Sequence, residues 1–378
     1  MKHHFLFLYL RTGGGHLAPA RSIVNYITRK HSEQVDAKLI DGFTDVNKFV
    51  RHVVEDGYRK SQAKAIWVFE VLYAINKLQP IARITAIAIS FFVRPHLEKL
   101  ILKEKPQKIV IFHSFLIKPV VEIVKRNKLL DTTVVTVVTD PFTAPPIWFL
   151  EKTDKYIVFS EKLKNYGVQK MGISQEDITV FPFIIEEKFT KPLPPADAAS
   201  VKEALGFPMD KKIILILGGG DGIPKGENII KSFVENYPDA YIAIVCGNNK
   251  ELCRSLWRLK SMHNLDNLYI YGYVDFIYEL INVSDVVITK CGASTFMEIL
   301  VSGKVPVISN YIWEQEKGNM EFIRDNSLGI YENDINKLPG KTMDILQNES
   351  IYNFYVNNIR NAQIKNGTPE VSEFLVSL

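Results

Sequence analysis

Short apolar runs rich in Val, Ile and aromatic residues alternate with longer helix-period stretches along almost the whole chain. Runs that are apolar at consecutive positions, rather than at every second one, suit strands covered on both faces. Separated by helical patterns, they read as βαβ units in a parallel sheet. The first half offers Phe5–Leu10, Ala37–Ile40, Lys108–Phe112, Thr133–Val138, Lys155–Phe159 and Thr179–Phe181. The second offers Lys212–Leu217, Ala240–Val245, Leu268–Tyr271, Val286–Thr289 and Val305–Ile308. Both halves open alike, with a strand, a glycine cluster and a helix: Leu8–Leu10 into Gly13–Gly15, and Leu215–Leu217 into Gly218–Gly222. The expectation is an α/β protein of two Rossmann-like, doubly wound domains facing each other across a cleft. Residues 1–187 form the first domain, the Pro-rich stretch 188–200 a linker, 201–349 the second domain, and 350–378 a helical tail.

The 378 residues suffice for two such domains, and 47% hydrophobic with 23% charged residues excludes a disordered or fibrous chain. The net charge of +4 names no partner, but its distribution is uneven. Residues 1–187 hold 27 Lys+Arg and 19 Asp+Glu (+8), and residues 188–378 hold 19 and 23 (−4). Cys246, Cys253 and Cys291 form neither a disulfide framework nor a zinc-ligand spacing, which fits a reducing compartment. The apolar run Phe5–Leu10 is short for a signal peptide, and no stretch is long enough to span a bilayer. The chain reads as a cytosolic protein able to rest on a membrane.

Residues 58–100 interrupt the strand–helix alternation. Ile66, Phe69, Leu72, Tyr73 and Asn76 fall at helical spacing, as do Ile81, Ile84, Ile87, Ala88, Phe91 and Phe92. Arg59, Lys60, Lys64, Lys77, Arg83, Arg94 and Lys99 surround them, with Glu70 and Glu98 in opposition. Two readings stand: a helix pair packed on the first sheet, or a basic amphipathic segment in a lipid interface. On the second, Arg59, Lys60, Lys64, Trp67, Tyr73, Arg83, Phe91 and Phe92 meet an anionic membrane surface and the acceptor.

Three motif groups could carry chemistry. Gly13-x-Gly15-x-x-Ala18 has the form of a dinucleotide fingerprint, with Asp41 as the acid at the end of the second strand. His16 sits in that turn, where a helix N-terminus keeps an imidazole neutral and fit to act as a general base. The turn Gly218–Gly222, including Gly219 and Gly220, lets backbone N–H groups approach a diphosphate, and no Walker Gly-Lys-Ser/Thr ending follows. The richest block runs from Tyr271 to Asn319. Gly292, Ser294 and Thr295 would open a helix pointing its N–H groups at phosphate. Glu298, on the same side, could accept both hydroxyls of a ribose. Gln315 and Asn319, four apart, could offer two amides to sugar hydroxyls.

In order along the chain stand Gly13–His16, Val137-Val138-Thr139-Asp140, Gly272–Val274, Ile288–Gly292 and Gln315-Glu316-x-x-Asn319. This series resembles family 28 of the GT-B glycosyltransferases, whose members include diacylglycerol glycosyltransferases and the lipid-linked N-acetylglucosamine transferase of peptidoglycan synthesis. The resemblance implies an inverting enzyme that moves a hexose from a UDP-sugar to a membrane lipid, diacylglycerol or a glycosyl-diacylglycerol. The first domain would then face acceptor and membrane, and the second would hold the donor. His16 matches the family histidine proposed as base or acceptor-positioning residue, and Asp140 would face the acceptor. Gly219, Gly220 and Ser294 would line the diphosphate, with Lys290 offsetting its charge, and Gly15, Gly292 and Thr295 belong to the donor-binding set. Val274 would hold uracil through its backbone and Glu298 the ribose; Gln315, Glu316 and Asn319 would hold the donor sugar or position its phosphate. No metal or resident cofactor is expected, since no Asp-x-Asp motif is present. The place of action would be the inner face of the cell membrane.

Cys291 and Ala293 stand where lipid-forming members usually have Pro and Gly, and His113-Ser114 where many have His-Pro. Cys291 reads as a small buried filler, and His113 as a core or cleft histidine. Two rival functions remain: a UDP-sugar epimerase or a transferase with a soluble acceptor, and a non-catalytic regulator binding a nucleotide-sugar or NAD. Nucleic-acid binding has little support, because the aromatics of the basic half lie at helical spacing.

Overall fold

The structure, a computed structural model, describes residues 2–11, 14–44, 74–312 and 314–378. Two compact units emerge. The first comprises residues 1–186, 312–318 and 366–378, and the second residues 187–311 and 319–365.

The first unit is built on six strands: β1 (His3–Tyr9), β2 (Val35–Asp41), β3 (Lys108–Ile111), β4 (Thr133–Val137), β5 (Lys155–Val158) and β6 (Ile178–Val180). All pair in parallel in the order β2-β1-β3-β4-β5-β6. Helices α1 (Gly14–Lys30), α2 (Gln79–Glu104), α3 (Ile117–Arg126) and α4 (Glu161–Met171) accompany the sheet. Every residue of β3 is buried, as a strand covered on both faces requires. The core runs through Leu6, Leu8, Ile109, Ile111, Val134 and Trp148.

The second unit carries β7 (Ile213–Leu217), β8 (Tyr241–Val245), β9 (Leu268–Tyr271), β10 (Val286–Lys290), β11 (Val305–Asn310) and β12 (Ile330–Tyr331). These are also parallel, in the order β12-β11-β10-β7-β8-β9. Numbered from its own first strand, that is the dinucleotide-binding order 3-2-1-4-5-6. Its helices are α5 (Pro195–Ala204), α6 (Gly226–Asn236), α7 (Lys250–His263), α8 (Ile277–Val283), α9 (Ala293–Val301), α10 (Lys317–Asp325), α11 (Leu338–Gln347) and α12 (Glu349–Asn361). The short β12 has no counterpart in the sequence reading, because two residues carry no period.

Two expected boundaries differ. Residues 188–200 are no free linker: a 3-10 turn over Glu187–Thr190 buries Phe189, and α5 begins at Pro195. The stretch is pinned to α8, with Tyr278 Oη donating to the Lys191 carbonyl at 2.6 Å and Leu193 N–H to Asn282 Oδ1 at 3.3 Å. Its prolines start a helix, since Pro at the first helical position sacrifices only an N–H that would be unpaired anyway. Nor is 350–378 one tail. α12 belongs to the second unit, while α13 (Thr368–Ser377) belongs to the first and packs on α1. There Glu373 accepts from His31 Nε2 at 2.9 Å, and Lys108 Nζ donates to the Leu375 carbonyl at 2.7 Å.

Of the basic segment, Arg59, Lys60, Lys64, Trp67 and Tyr73 lie outside the described residues. From Gln79 onward the segment forms α2, which Pro80 starts and left-handed Lys105 ends. Its core face is the small-residue stripe Ala82, Ala86 and Ser90 continuing into Val93, Leu97 and Ile101. Ile84, Ile87, Phe91 and Phe92 are 66%, 56%, 70% and 51% exposed, and Arg83 is exposed beside them. The small side chains let the helix sit close to its neighbours, which leaves the larger apolar ones facing outward. No helix among the described residues is long and apolar enough to cross a membrane.

Candidate functional site

In open α/β sheets ligands gather beyond the carboxyl ends of the strands, where the strand order reverses. In the first sheet that point lies between β1 and β3. The loop after β1 leads into His16 and the loop after β3 carries His113, and the two rings lie 4.4 Å apart. His16 Nδ1 meets Thr139 Oγ1 at 2.7 Å, just past the end of β4. Burial holds the His16 imidazole down at about 4, against a weaker upward pull from a hydrogen bond to the Phe112 backbone. His113, buried, accepts from the Phe115 N–H through Nδ1 at 3.2 Å. Burial, helped by the His16 neighbour, keeps its pKa well below the usual value. Both imidazoles are therefore neutral at pH 7.

Asp140 follows Thr139. Trp148 Nε1 donates to its Oδ2 at 2.9 Å, and Gln315 Nε2 to its Oδ1 at 3.3 Å. Burial pushes the Asp140 carboxyl up to about 6; the two donors oppose that rise and the Glu316 charge adds to it. Trp148, only 1% exposed, was missed in the sequence, and Thr139 entered only as part of the Val137–Asp140 motif. Nothing in a lone buried Trp marks it as a donor to a carboxylate eight residues earlier. Asp41, expected as a ribose acid, is engaged instead by Arg11 Nε at 3.2 Å and the Phe43 N–H at 3.0 Å.

In the second sheet the order reverses between β7 and β10. After β7, Gly219 adopts φ +78°, a left-handed conformation that side chains resist. Gly247, after β8, has φ +57°, and a Cβ there would lie 2.3 Å from the Gly220 carbonyl oxygen. Gly247 thus seats the Gly218–Gly222 turn, and the sequence reading did not single it out. After β10, the pairing with β11 shifts register between Thr289 and Lys290. Such an irregularity re-aims a side chain, and Lys290 Cε comes within 3.9 Å of a Cβ built on Gly219. Gly292 caps α9, whose first residues include Ser294 and Thr295; Ser294 Oγ is buried with no hydrogen-bond partner. A glycine turn, a lysine and a helix N-terminus at one switch point make an anion cradle. Val274 lies just beyond the carboxyl end of β9, and Glu298 lies on α9.

The Gln315–Asn319 motif does more internal bonding than expected. Gln315 holds Asp140, and its carbonyl accepts from Thr143 Oγ1 at 2.8 Å. Glu316, 8% exposed, accepts the Ile312 N–H at 2.8 Å and closes its own turn. Asn319, 3% exposed, donates to the Cys291 carbonyl at 2.9 Å and so fixes the turn into α9. Cys291 is fully buried, as a small filler. Among the described residues no three His, Cys, Asp or Glu side chains form a metal-ligand set.

Residues 16–184 match the family model of monogalactosyldiacylglycerol (MGDG) synthase, and residues 213–320 the family 28 glycosyltransferase C-terminal domain. A probable chloroplastic monogalactosyldiacylglycerol synthase of Nicotiana tabacum is 24% identical over 90% of this chain, which spans 63% of that protein's length. A processive diacylglycerol beta-glucosyltransferase of Bacillus pumilus is 26% identical over 98% of this chain and 94% of its own. Among solved structures, HepE of Anabaena in complex with UDP-glucose superposes with a TM-score of 0.61 at 12% identity, covering 99% of this chain and 100% of that one. That likeness concerns the fold.

Proposed function

From its membership of the family 28 GT-B glycosyltransferases, beside the monogalactosyldiacylglycerol synthases and processive diacylglycerol glucosyltransferases, we infer that this chain transfers a hexose from a UDP-sugar to a membrane lipid. The acceptor is diacylglycerol or a glycosyl-diacylglycerol, and the reaction inverts the anomeric centre. One observation carries this reading: a carboxylate and a neutral imidazole stand at the first switch point, and an anion cradle at the second, within one chain.

In the reaction, the acceptor hydroxyl gives its proton to Asp140 as its oxygen attacks the anomeric carbon from the face opposite UDP. The bond from that carbon to the diphosphate breaks, and UDP leaves with its added charge offset by the α9 N–H groups and Lys290. No metal is required. His16 was expected as the base, but a group held near 4 binds a proton weakly at working pH, whereas Asp140 near 6 is well matched. His16 then orients the acceptor as a neutral hydrogen-bonding ring. The outward apolar face of α2 with Arg83 supports residence at the inner face of the cell membrane, where the lipid lies. The test is incubation of the protein with a panel of UDP-sugars and diacylglycerol vesicles, with product lipids identified by mass spectrometry. Hexosyl-diacylglycerol from at least one UDP-sugar is expected; products formed with soluble acceptors alone would overturn the lipid assignment.

A further inference from the structure

The first unit contains a cavity of about 370 Å³ that the proposed chemistry does not use. Its walls are the loop after β4, from Phe142 to Pro146, and Lys162, Leu163 and Tyr166 of α4. Lys77 and Glu314 stand at its edge and form an ion pair. The lining pairs apolar carbon from Phe142, Ala144, Pro145, Pro146 and Leu163 with polar groups, as in sites that bury an apolar ligand and fix its orientation.

Two features connect this cavity to the reacting groups. Phe142 lies two residues after Asp140 along the chain. Thr143, another wall residue, donates to the Gln315 carbonyl, and Gln315 donates to the Asp140 carboxylate. One wall residue is thus tied to the Asp140 carboxylate through Gln315 alone. A third feature concerns the outer end. Lys77 is flanked by Ile75 and Leu78, which are 39% and 58% exposed, and the exposed apolar face of α2 follows directly. The start of α2 is held against α4 by Gln79 Nε2, 3.5 Å from Met171 Sδ. A carbon chain leaving the cavity beside Lys77 would meet Ile75 and Leu78 before the apolar residues Ile84 and Ile87 of α2.

We propose that this cavity is the acceptor subsite, receiving the glycerol-ester end and first methylenes of one acyl chain of diacylglycerol. The assignment rests on the lipid acceptor proposed above and adds where the lipid is held. The volume suits one chain end rather than a whole lipid, so the remaining methylenes stay with the apolar face of α2 and the membrane. Lys77 at the rim can donate to an ester carbonyl when it leaves Glu314.

Two experiments test the assignment. Ala144→Leu narrows the cavity without touching the anion cradle. KM for a long-chain diacylglycerol should rise about tenfold, while UDP affinity and melting temperature stay at wild-type values. Leu163→Ala, which widens it, should lower discrimination against branched-chain diacylglycerols. A diacylglycerol carrying a diazirine near the ester should crosslink to peptides containing 142–146 or 162–166. Unchanged KM in Ala144→Leu, with crosslinks confined to other segments, would overturn the subsite while leaving lipid glycosylation intact. Absence of any lipid product from the wild-type protein would instead overturn the acceptor class, and this subsite with it.

Discussion

Asp140 offers a prediction in which activity and stability move in opposite directions. Its carboxyl stands at about 6 against an ordinary 3.8, mainly through burial. A shift of about two pH units represents ~3 kcal/mol of disfavour for the ionised form. As a base it must be ionised, so kcat/KM should fall as pH drops through about 6. Asp140→Asn should remove that acid limb and lower kcat/KM by ~10²–10⁴, the range of general-base catalysis. Trp148→Phe deletes a 2.9 Å donor to the ionised carboxylate. A hydrogen bond to a charged group contributes ~1.5–3 kcal/mol, so the limb should move up by ~1–2 pH units, with activity recovering at alkaline pH. Stability follows the opposite course. Because the folded-state value is raised, the protonated carboxyl's advantage is complete below pH 3.8 and is lost as pH rises through about 6. Asp140→Asn should therefore unfold at higher denaturant than wild type at pH 7.5, by ~1–3 kcal/mol, and the difference should close below pH ~4. In that variant Gln315 can turn its amide to offer oxygen to the new N–H₂. Rate profiles from pH 5 to 9 and denaturant melts at both ends suffice. An acid limb that persists in Asp140→Asn, or stays fixed in Trp148→Phe, would refute the reasoning.

Other perturbations separate the remaining parts. His16→Ala should reduce turnover yet keep the limb near pH 6 and leave UDP affinity unchanged by calorimetry; loss of the limb would return the base role to His16. Gly247→Ala forces a Cβ toward the Gly220 carbonyl from a left-handed backbone. It should cost ~1–2 kcal/mol in denaturant melts and weaken UDP binding by about tenfold or more. Phe91→Ser with Phe92→Ser should reduce flotation with anionic vesicles while changing stability by less than ~1 kcal/mol, since both rings are more than half exposed. Asn319→Leu removes the donor to the Cys291 carbonyl, and should lower stability by ~1–3 kcal/mol together with UDP affinity.

Much of the fold was legible because parallel strands announce themselves as uninterrupted apolar runs. Eleven of the strands fall where those runs lie, with ends differing by a residue or two. The glycine turns were readable for a related reason: a left-handed or closely crowded backbone position calls for glycine and leaves a local trace. What escaped was non-local. The bond from Trp148 to Asp140 and the seat that Gly247 provides for Gly220 depend on which loops the strand order brings together. The α2 face was legible only in part. Periodicity found its large apolar residues, but the core took the small ones at Ala82 and Ala86. Asn319 shows the same limit, since spacing marks an amide pair without revealing that one member is buried on a carbonyl.

The most direct measurement is the anomeric configuration of a lipid product formed from a UDP-α-hexose and diacylglycerol, read from the coupling of its anomeric proton in an NMR spectrum. Inversion with Asp140 as base predicts a β-hexosyl-diacylglycerol, formed by the wild-type protein and lost in Asp140→Asn. An α-linked product, or a β-linked one made equally well by Asp140→Asn, would contradict the account.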